Sequence, residues 1–159
     1  FHARFDARSR EYHYFIHFRK DPFCEKYSYR MRHPLDIGKM NEAAAYLLGE
    51  HDFRCFEKTG GNSLTSVCTV TEAVWSTYRP THIELLGMDC GEGDYIVFRI
   101  KANRFLRNMV RAIVGSLIEV GRGKRSPEWI AELVAEGTRS DAGSSVPGYA
   151  LFFSGAAYK

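Results

Sequence analysis

Arg104, Arg107 and Arg111 recur at intervals of three and four residues, with Asn108 among them. At roughly 100° per residue this spacing places the three guanidinium groups on one narrow stripe of a helix. The apolar residues around them, Phe105, Leu106, Met109, Val110, Ile113, Val114 and Leu117, repeat at the same helical interval. Asn103 stands where a cap belongs, so the reading is a helix that begins at Asn103 and carries a basic edge. Cations crowded at the amino-terminal end of a helix oppose its dipole, and they call for an anionic partner. Gly115 continues the stripe by one turn; without a side chain there, another backbone or a ligand can come close.

Two other groupings look like chemistry and read better as structure. His51 adjoins Asp52, but sequence neighbours rarely face one another in a site, so the pair is expected in a turn. Thr59-Gly60-Gly61-Asn62-Ser63 is a loop without the Gly-Lys-Ser/Thr of a phosphate cradle. Cys24, Cys55, Cys68 and Cys90 are scattered, with no C-x-x-C and no paired histidines to make a zinc site. Reduced thiols are expected.

The charge is unevenly placed. Residues 1–34 hold eight Lys/Arg against four Asp/Glu, and residues 101–125 hold seven against one, whereas 35–100 hold five against ten. Two basic blocks brought together by the fold make a phosphate-binding surface. With 45% hydrophobic and 14% aromatic residues the chain is globular, not disordered. No apolar run approaches the ~20 residues of a membrane span, and the first residues resemble no targeting peptide. The abrupt opening on an aromatic, strand-like segment suggests a domain cut from a longer protein, with residues 1–159 as a single domain.

The elements that must position these groups follow from period and punctuation. Ile96, Phe98, Ile100 and Ala102 alternate with Tyr95, Val97, Arg99 and Lys101 as a strand leading into the arginine helix. Residues 10–19 alternate likewise: Tyr12, Tyr14, Ile16 and Phe18 on one face, His13, Phe15 and His17 on the other. Residues 35–49 read as a helix capped by Asp36 and closed by Gly49, with Met40, Ala43, Ala44, Leu47 and Leu48 as its buried stripe. Residues 66–77 and 82–88 read as strands, the latter short, and Gly91-Glu92-Gly93-Asp94 as a turn. Ser126-Pro127-Glu128 opens a last helix that ends at Gly137, and residues 149–154 form a final strand. The sum is α+β: a mixed, largely antiparallel sheet with helices on one side.

NRFLRNMVRAIVGSLIEVG resembles the motif near the carboxyl end of TruA-type tRNA pseudouridine synthases, which isomerise uridines in the anticodon stem-loop. FHARFDARSREYHYFI, AAAYLLGEHDFRCF and SVPGYALFFSGAAY are similar to further segments of that family, in the same order. The resemblance implies the pseudouridine synthase fold, of which this chain is the carboxyl-terminal half. It implies a cytoplasmic enzyme acting on tRNA with neither metal nor organic cofactor and no membrane, homodimeric at full length. In the family R-x-Y-x-Y puts its first tyrosine against the target base. Arg10-Glu11-Tyr12-His13-Tyr14 matches, which makes Tyr12 the candidate. The arginine of M-V-R pairs with the nucleophilic aspartate and corresponds to Arg111. Arg104, Arg107 and Asn108 are then expected at phosphates or at the aspartate loop, with Arg4 a further phosphate candidate. The nucleophile belongs to an R-T-D-x-G motif in the amino-terminal half, which this chain lacks, so the chain alone is expected to be inactive. Arg139-Ser140-Asp141-Ala142-Gly143 imitates that motif between the last helix and the final strand, where a turn is expected. A stand-alone RNA-binding domain and a small-molecule enzyme are the competing readings.

Overall fold

Alternation in the strand Tyr95–Ala102 is carried into the structure from Ile96 on: Ile96, Phe98, Ile100 and Ala102 are all sealed from solvent, while Val97, Arg99 and Lys101 are half-exposed and Tyr95 is buried on their face. A computed structural model describes residues 7–58 and 65–158. In chain order the strands are β1 (Ala7–His17), β2 (Tyr29–Arg30), β3 (Gly49–Asp52), β4 (Val67–Thr77), β5 (Tyr95–Ala102) and β6 (Leu151–Tyr158). The helices are α1 (Ile37–Ala45), α2 (Thr81–Leu86), α3 (Met109–Gly121) and α4 (Glu128–Glu136).

The sheet runs β2-β1-β5-β4-β3, with β6 also on β1. β1 and β5 are antiparallel, with Arg10 opposite Ala102 and Tyr14 opposite Phe98. Along its other edge β1 pairs antiparallel with β6, Tyr12 opposite Phe153, and its last residues pair parallel with β2. Among the described residues this is the one parallel pairing, and it makes an otherwise antiparallel sheet mixed. The architecture is the expected α+β class.

Three helices cover one face. α1 is capped by the Asp36 carboxylate, which accepts from Lys39 N–H at 3.1 Å, and it buries Met40, Ala43 and Ala44. Leu48, expected in that stripe, lies beyond the helix end and is exposed. α4 buries Trp129, Ile130 and Leu133 and ends at Gly137. α3 is buried nearly all round, between the sheet and its neighbours, and Gly121 at its end makes room for Met40 of α1. Full burial of side chains such as Phe98 and Ile113 contributes about 1.5–3 kcal/mol each. The fourth helix departs from the one-sided plan. Ile83 of α2 packs on Tyr95 and Cys24 in a small second core, on the face that Tyr95 shares with Val97 and Arg99. There Asp21, 3% exposed, accepts hydrogen bonds from Tyr95 (2.5 Å), His82 Nε2 (2.6 Å) and Phe23 N–H (3.0 Å).

The structure corrects three sequence expectations about elements. Residues 81–86 are a helix, not a strand: Pro80 presets the entry, and Gly87, at φ 61°, closes the helix. His51 and Asp52 lie in β3 and not in a turn, paired with Cys68 and Val67. The arginine helix begins at Met109, six residues after Asn103. Asn103 does not cap it, because its side-chain oxygen accepts from Thr69 N–H (2.8 Å) and its own N–H bonds Thr69 O (3.0 Å). The carboxamide extends the β4–β5 pairing, and residues 103–108 form a loop.

Candidate active site

That loop crosses the carboxyl end of β5 and opens a cavity of about 460 Å³. Its walls are Tyr12 of β1, Lys58, the run from Phe105 to Arg111, and Leu151 of β6. The pairing of β1 with β5 and β6 places Tyr12 beside residues far along the chain. Its ring meets Phe105 edge-on at 5.0 Å and Phe153 at 5.5 Å. The hydroxyl of Tyr12 makes no hydrogen bond among the described residues.

Arg111 sits in the first turn of α3, half-buried. Its Nε donates to Val146 O at 2.8 Å, and Val146 N–H returns to Arg111 O at 3.2 Å. The two terminal nitrogens have no partner among the described residues. Gly148 lies beneath the guanidinium, with only ordinary contact available to a side chain there.

The segment 143–148 is strapped across α3. Gly143 N–H donates to Ser116 Oγ (2.9 Å), whose own hydroxyl donates to Ala112 O (2.9 Å). The Ser144 backbone runs over Gly115 so closely that an added Cβ would overlap the Ser144 carbonyl oxygen. The neighbour anticipated at Gly115 is thus backbone, not ligand. Tyr14, sealed in the core with its phenol pKa pushed up by burial, donates to Pro147 O at 2.7 Å.

The arginines do not share one helical stripe, because Arg104 and Arg107 precede α3. Arg104 donates to the carbonyls of Thr65 (3.0 Å) and Val67 (3.3 Å) and so ties the loop to β4. Arg107 is exposed at the cavity, and its carbonyl accepts from Lys58 N–H at 3.0 Å. Asn108 holds a left-handed backbone, φ 67°, and its Nδ2 donates to Ser145 Oγ at 2.6 Å. Tyr12, Arg107, Asn108 and Arg111 therefore surround one cavity. Arg4 lies outside the described residues. Lys58 and Leu151 are lining residues that the sequence reading missed; neither belongs to a pattern that single-chain spacing exposes.

Asp141 stands apart. It is exposed, and its carboxylate accepts from Thr138 N–H (2.8 Å) and Thr138 Oγ1 (3.0 Å). The backbone N–H of Thr138, first, and its hydroxyl hold the carboxyl below its usual range. Asp141 is a turn residue and does not line the cavity. His51 and Asp52 form no dyad: the imidazole bonds Leu48 O at 2.7 Å, and the carboxylate pairs with Arg54 at 2.9 Å. The four cysteines are free, and burial pushes the Cys24 and Cys55 thiols up to about 12, which keeps them protonated and unreactive. No helix among the described residues is long and apolar enough to cross a membrane.

A half-buried guanidinium whose terminal nitrogens have no partner among the described residues, in one cavity with a tyrosine, can receive an anion beside a planar ring. Residues 43–159 match the tRNA pseudouridine synthase family, and the chain belongs to it. It is 45% identical over 152 residues to tRNA pseudouridine synthase A of Bacteroides fragilis, covering 95% of the chain and 55% of that relative. The corresponding protein of Porphyromonas gingivalis is 43% identical over 157 residues, 99% of the chain and 58% of its own length. That of Halalkalibacterium halodurans is 40% identical over 154 residues, covering 95% and 53%. The chain thus spans little more than half the length of these curated relatives and matches their carboxyl-terminal half. The α+β sheet described above agrees with the pseudouridine synthase fold.

Proposed function

We infer that the protein carrying this chain converts uridine to pseudouridine in the anticodon stem-loop of tRNA, with these residues forming the carboxyl-terminal side of its active site. The observation that carries the reading is Arg111: its Nε is committed to Val146 O at 2.8 Å, its terminal nitrogens have no partner among the described residues, and it lines one cavity with Tyr12. A planar fork so held receives a carboxylate through two parallel hydrogen bonds, keeping it ionised and aimed. The carboxylate is the nucleophilic aspartate of the amino-terminal half. In the isomerisation the bond from ribose C1′ to uracil N1 breaks, the base turns, and C1′ joins C5. N1 gains a proton and C5 loses one, so nothing is consumed. Tyr12 offers its ring to the extruded base and its hydroxyl, which has no partner among the described residues, to proton traffic. Arg107 and Lys58 stand at the rim for flanking phosphates, and Arg104, Asn108 and Arg4 are proposed as further RNA contacts. A cytoplasmic homodimer, with each chain completed by its amino-terminal half, is the form we assign to the enzyme.

The test is direct. Unmodified tRNA is incubated with the protein at its natural length and with residues 1–159 alone, and pseudouridine is assayed by mass spectrometry after derivatisation. Turnover by the long form and none by the short form is expected. Turnover by residues 1–159 alone, lost in Asp141→Ala, would transfer the nucleophile to Asp141 and sink the proposal of a missing aspartate. tRNA binding without turnover by either form would favour an RNA-binding domain.

A further inference from the structure

The R-S-D-A-G segment reaches the active site through its arginine. We propose that Arg139, Ser145 and Asn108 form a positioning relay that sets the plane of the Arg111 guanidinium from behind, an inference that rests on the function proposed above. Ser145 Oγ receives Arg139 Nη2 at 2.9 Å and Asn108 Nδ2 at 2.6 Å. Arg139 also holds Gly143 O through Nη1 at 2.9 Å, so one guanidinium grips the strap at two points. Arg139 and Ser145 do not line the cavity.

The relay acts through the next residue. Pinning the Ser145 side chain fixes the backbone of Val146, whose carbonyl holds Arg111 Nε and whose N–H holds Arg111 O. Once Nε is bonded, rotation of the guanidinium is restricted, and both terminal nitrogens face a partner in the geometry that two parallel hydrogen bonds demand. Lysine cannot use such a support, since it has no third nitrogen to anchor. Asn108 joins the relay to the head of α3: its carbonyl accepts Ala112 N–H at 3.1 Å, so the residue that starts the helix also clasps the strap. Its φ of 67° is the one positive value at a non-glycine position among the described residues. Asparagine tolerates this left-handed backbone better than most residues, and such conformations persist where the surroundings over-determine them. Here the carboxamide bond to Ser145 does so.

The experiment uses the protein at its natural length and two readouts. One is the single-turnover rate on unmodified tRNA together with tRNA affinity. The other is solvent exchange of the Arg111 Nε–H by NMR, with the β5 amides as the reference for global stability. Ser145→Ala should slow the single turnover about tenfold and leave affinity within about twofold, because the loss falls on orientation and not on binding. The Arg111 Nε–H should exchange about tenfold faster while the β5 amides keep their protection. Ser145→Thr, which keeps the oxygen, should restore both. Asn108→Gly keeps the left-handed backbone and removes the carboxamide. It should reproduce the faster Arg111 Nε–H exchange of Ser145→Ala with the β5 amides unchanged, and the double variant should exchange no faster than either single one. The relay is overturned if Ser145→Ala leaves Arg111 exchange at its wild-type rate, or if exchange rises only together with that of β5. Should the wild-type protein not act on tRNA at all, the proposed function fails by itself, and the exchange arm still decides the relay.

Discussion

Arg111 and Val146 hold each other by two hydrogen bonds, Nε to O at 2.8 Å and N–H to O at 3.2 Å, so α3 and the strap before β6 are joined at this point. A guanidinium anchored in this way differs from a mobile surface arginine in what substitution does to it. Arg111→Lys in the full-length protein should lower the single-turnover rate by about two orders of magnitude while changing tRNA affinity little. Arg111→Ala is a poorer probe, since it also removes the bond to Val146 O that holds the strap on α3. A wild-type rate for the lysine variant would remove Arg111 from the reaction.

Arg107 predicts the opposite split. It is exposed at the cavity rim. Arg107→Ala should weaken tRNA binding and reduce the slope of log affinity against log salt by about one unit, the signature of one phosphate contact. Filter binding across a salt series gives both quantities. Unchanged slope with lost chemistry would exchange the roles of the two arginines.

Gly115→Ala should destabilise the protein by about 1–3 kcal/mol, the cost of overpacking a site with no give. Gly→Ala inside a helix ordinarily stabilises by up to about 1 kcal/mol, so the sign is the test. The added methyl overlaps a backbone carbonyl, that of Ser144, which cannot rotate away as a side chain could. Urea unfolding midpoints of the two proteins decide it.

Acid should unfold the small second core first. Burial works to raise the Asp21 carboxyl, but hydrogen bonds from Tyr95, His82 and Phe23 outweigh it and hold the group below its usual range. Its folded pKa is therefore depressed. The stabilisation is complete above the unfolded value of about 3.9 and is lost as pH falls through the lower folded one. Burial likewise lowers the His17 imidazole, against an opposing pull from Asp21. Its share begins to disappear as pH drops below about 6.5. Stability should thus decline in two stages on acidification. Asp21→Asn should remove the second stage and cost about 1–3 kcal/mol at neutral pH, measured by denaturant titration from pH 8 to pH 3. A single stage in the wild-type protein would exclude this assignment.

Much of the frame is legible in the chain alone. The β5 alternation, the Asp36 cap and the Pro127-to-Gly137 helix are written in local residues, and local physics decides them. The start of α3 is not, because Asn103 had a partner in Thr69, thirty-four residues back, that outcompeted the helix for its carboxamide. The helix Thr81–Leu86 misled because one buried residue, Ile83, leaves no period to read. In the site, Tyr12 and Arg111 stand out through family-like motifs, whereas Ser145 and Val146 act through an oxygen and a backbone amide on a helix far upstream. Such contacts leave no trace in spacing.

The pairing of β1 with β6 bears on how the molecule is made. His13 meets Ser154 across 141 residues of chain, so the edge of the sheet beside Tyr12 cannot close until nearly everything between has been synthesised and ordered. Closing a loop that long is slow compared with forming α1 or the β4–β5 pair. Leu151 and Phe153 arrive with that final strand, and they are a wall of the cavity and a neighbour of the Tyr12 ring. The pocket is consequently a late folding event. During translation the edge of β1 that pairs with β6 stays without that strand until the end of the chain has emerged.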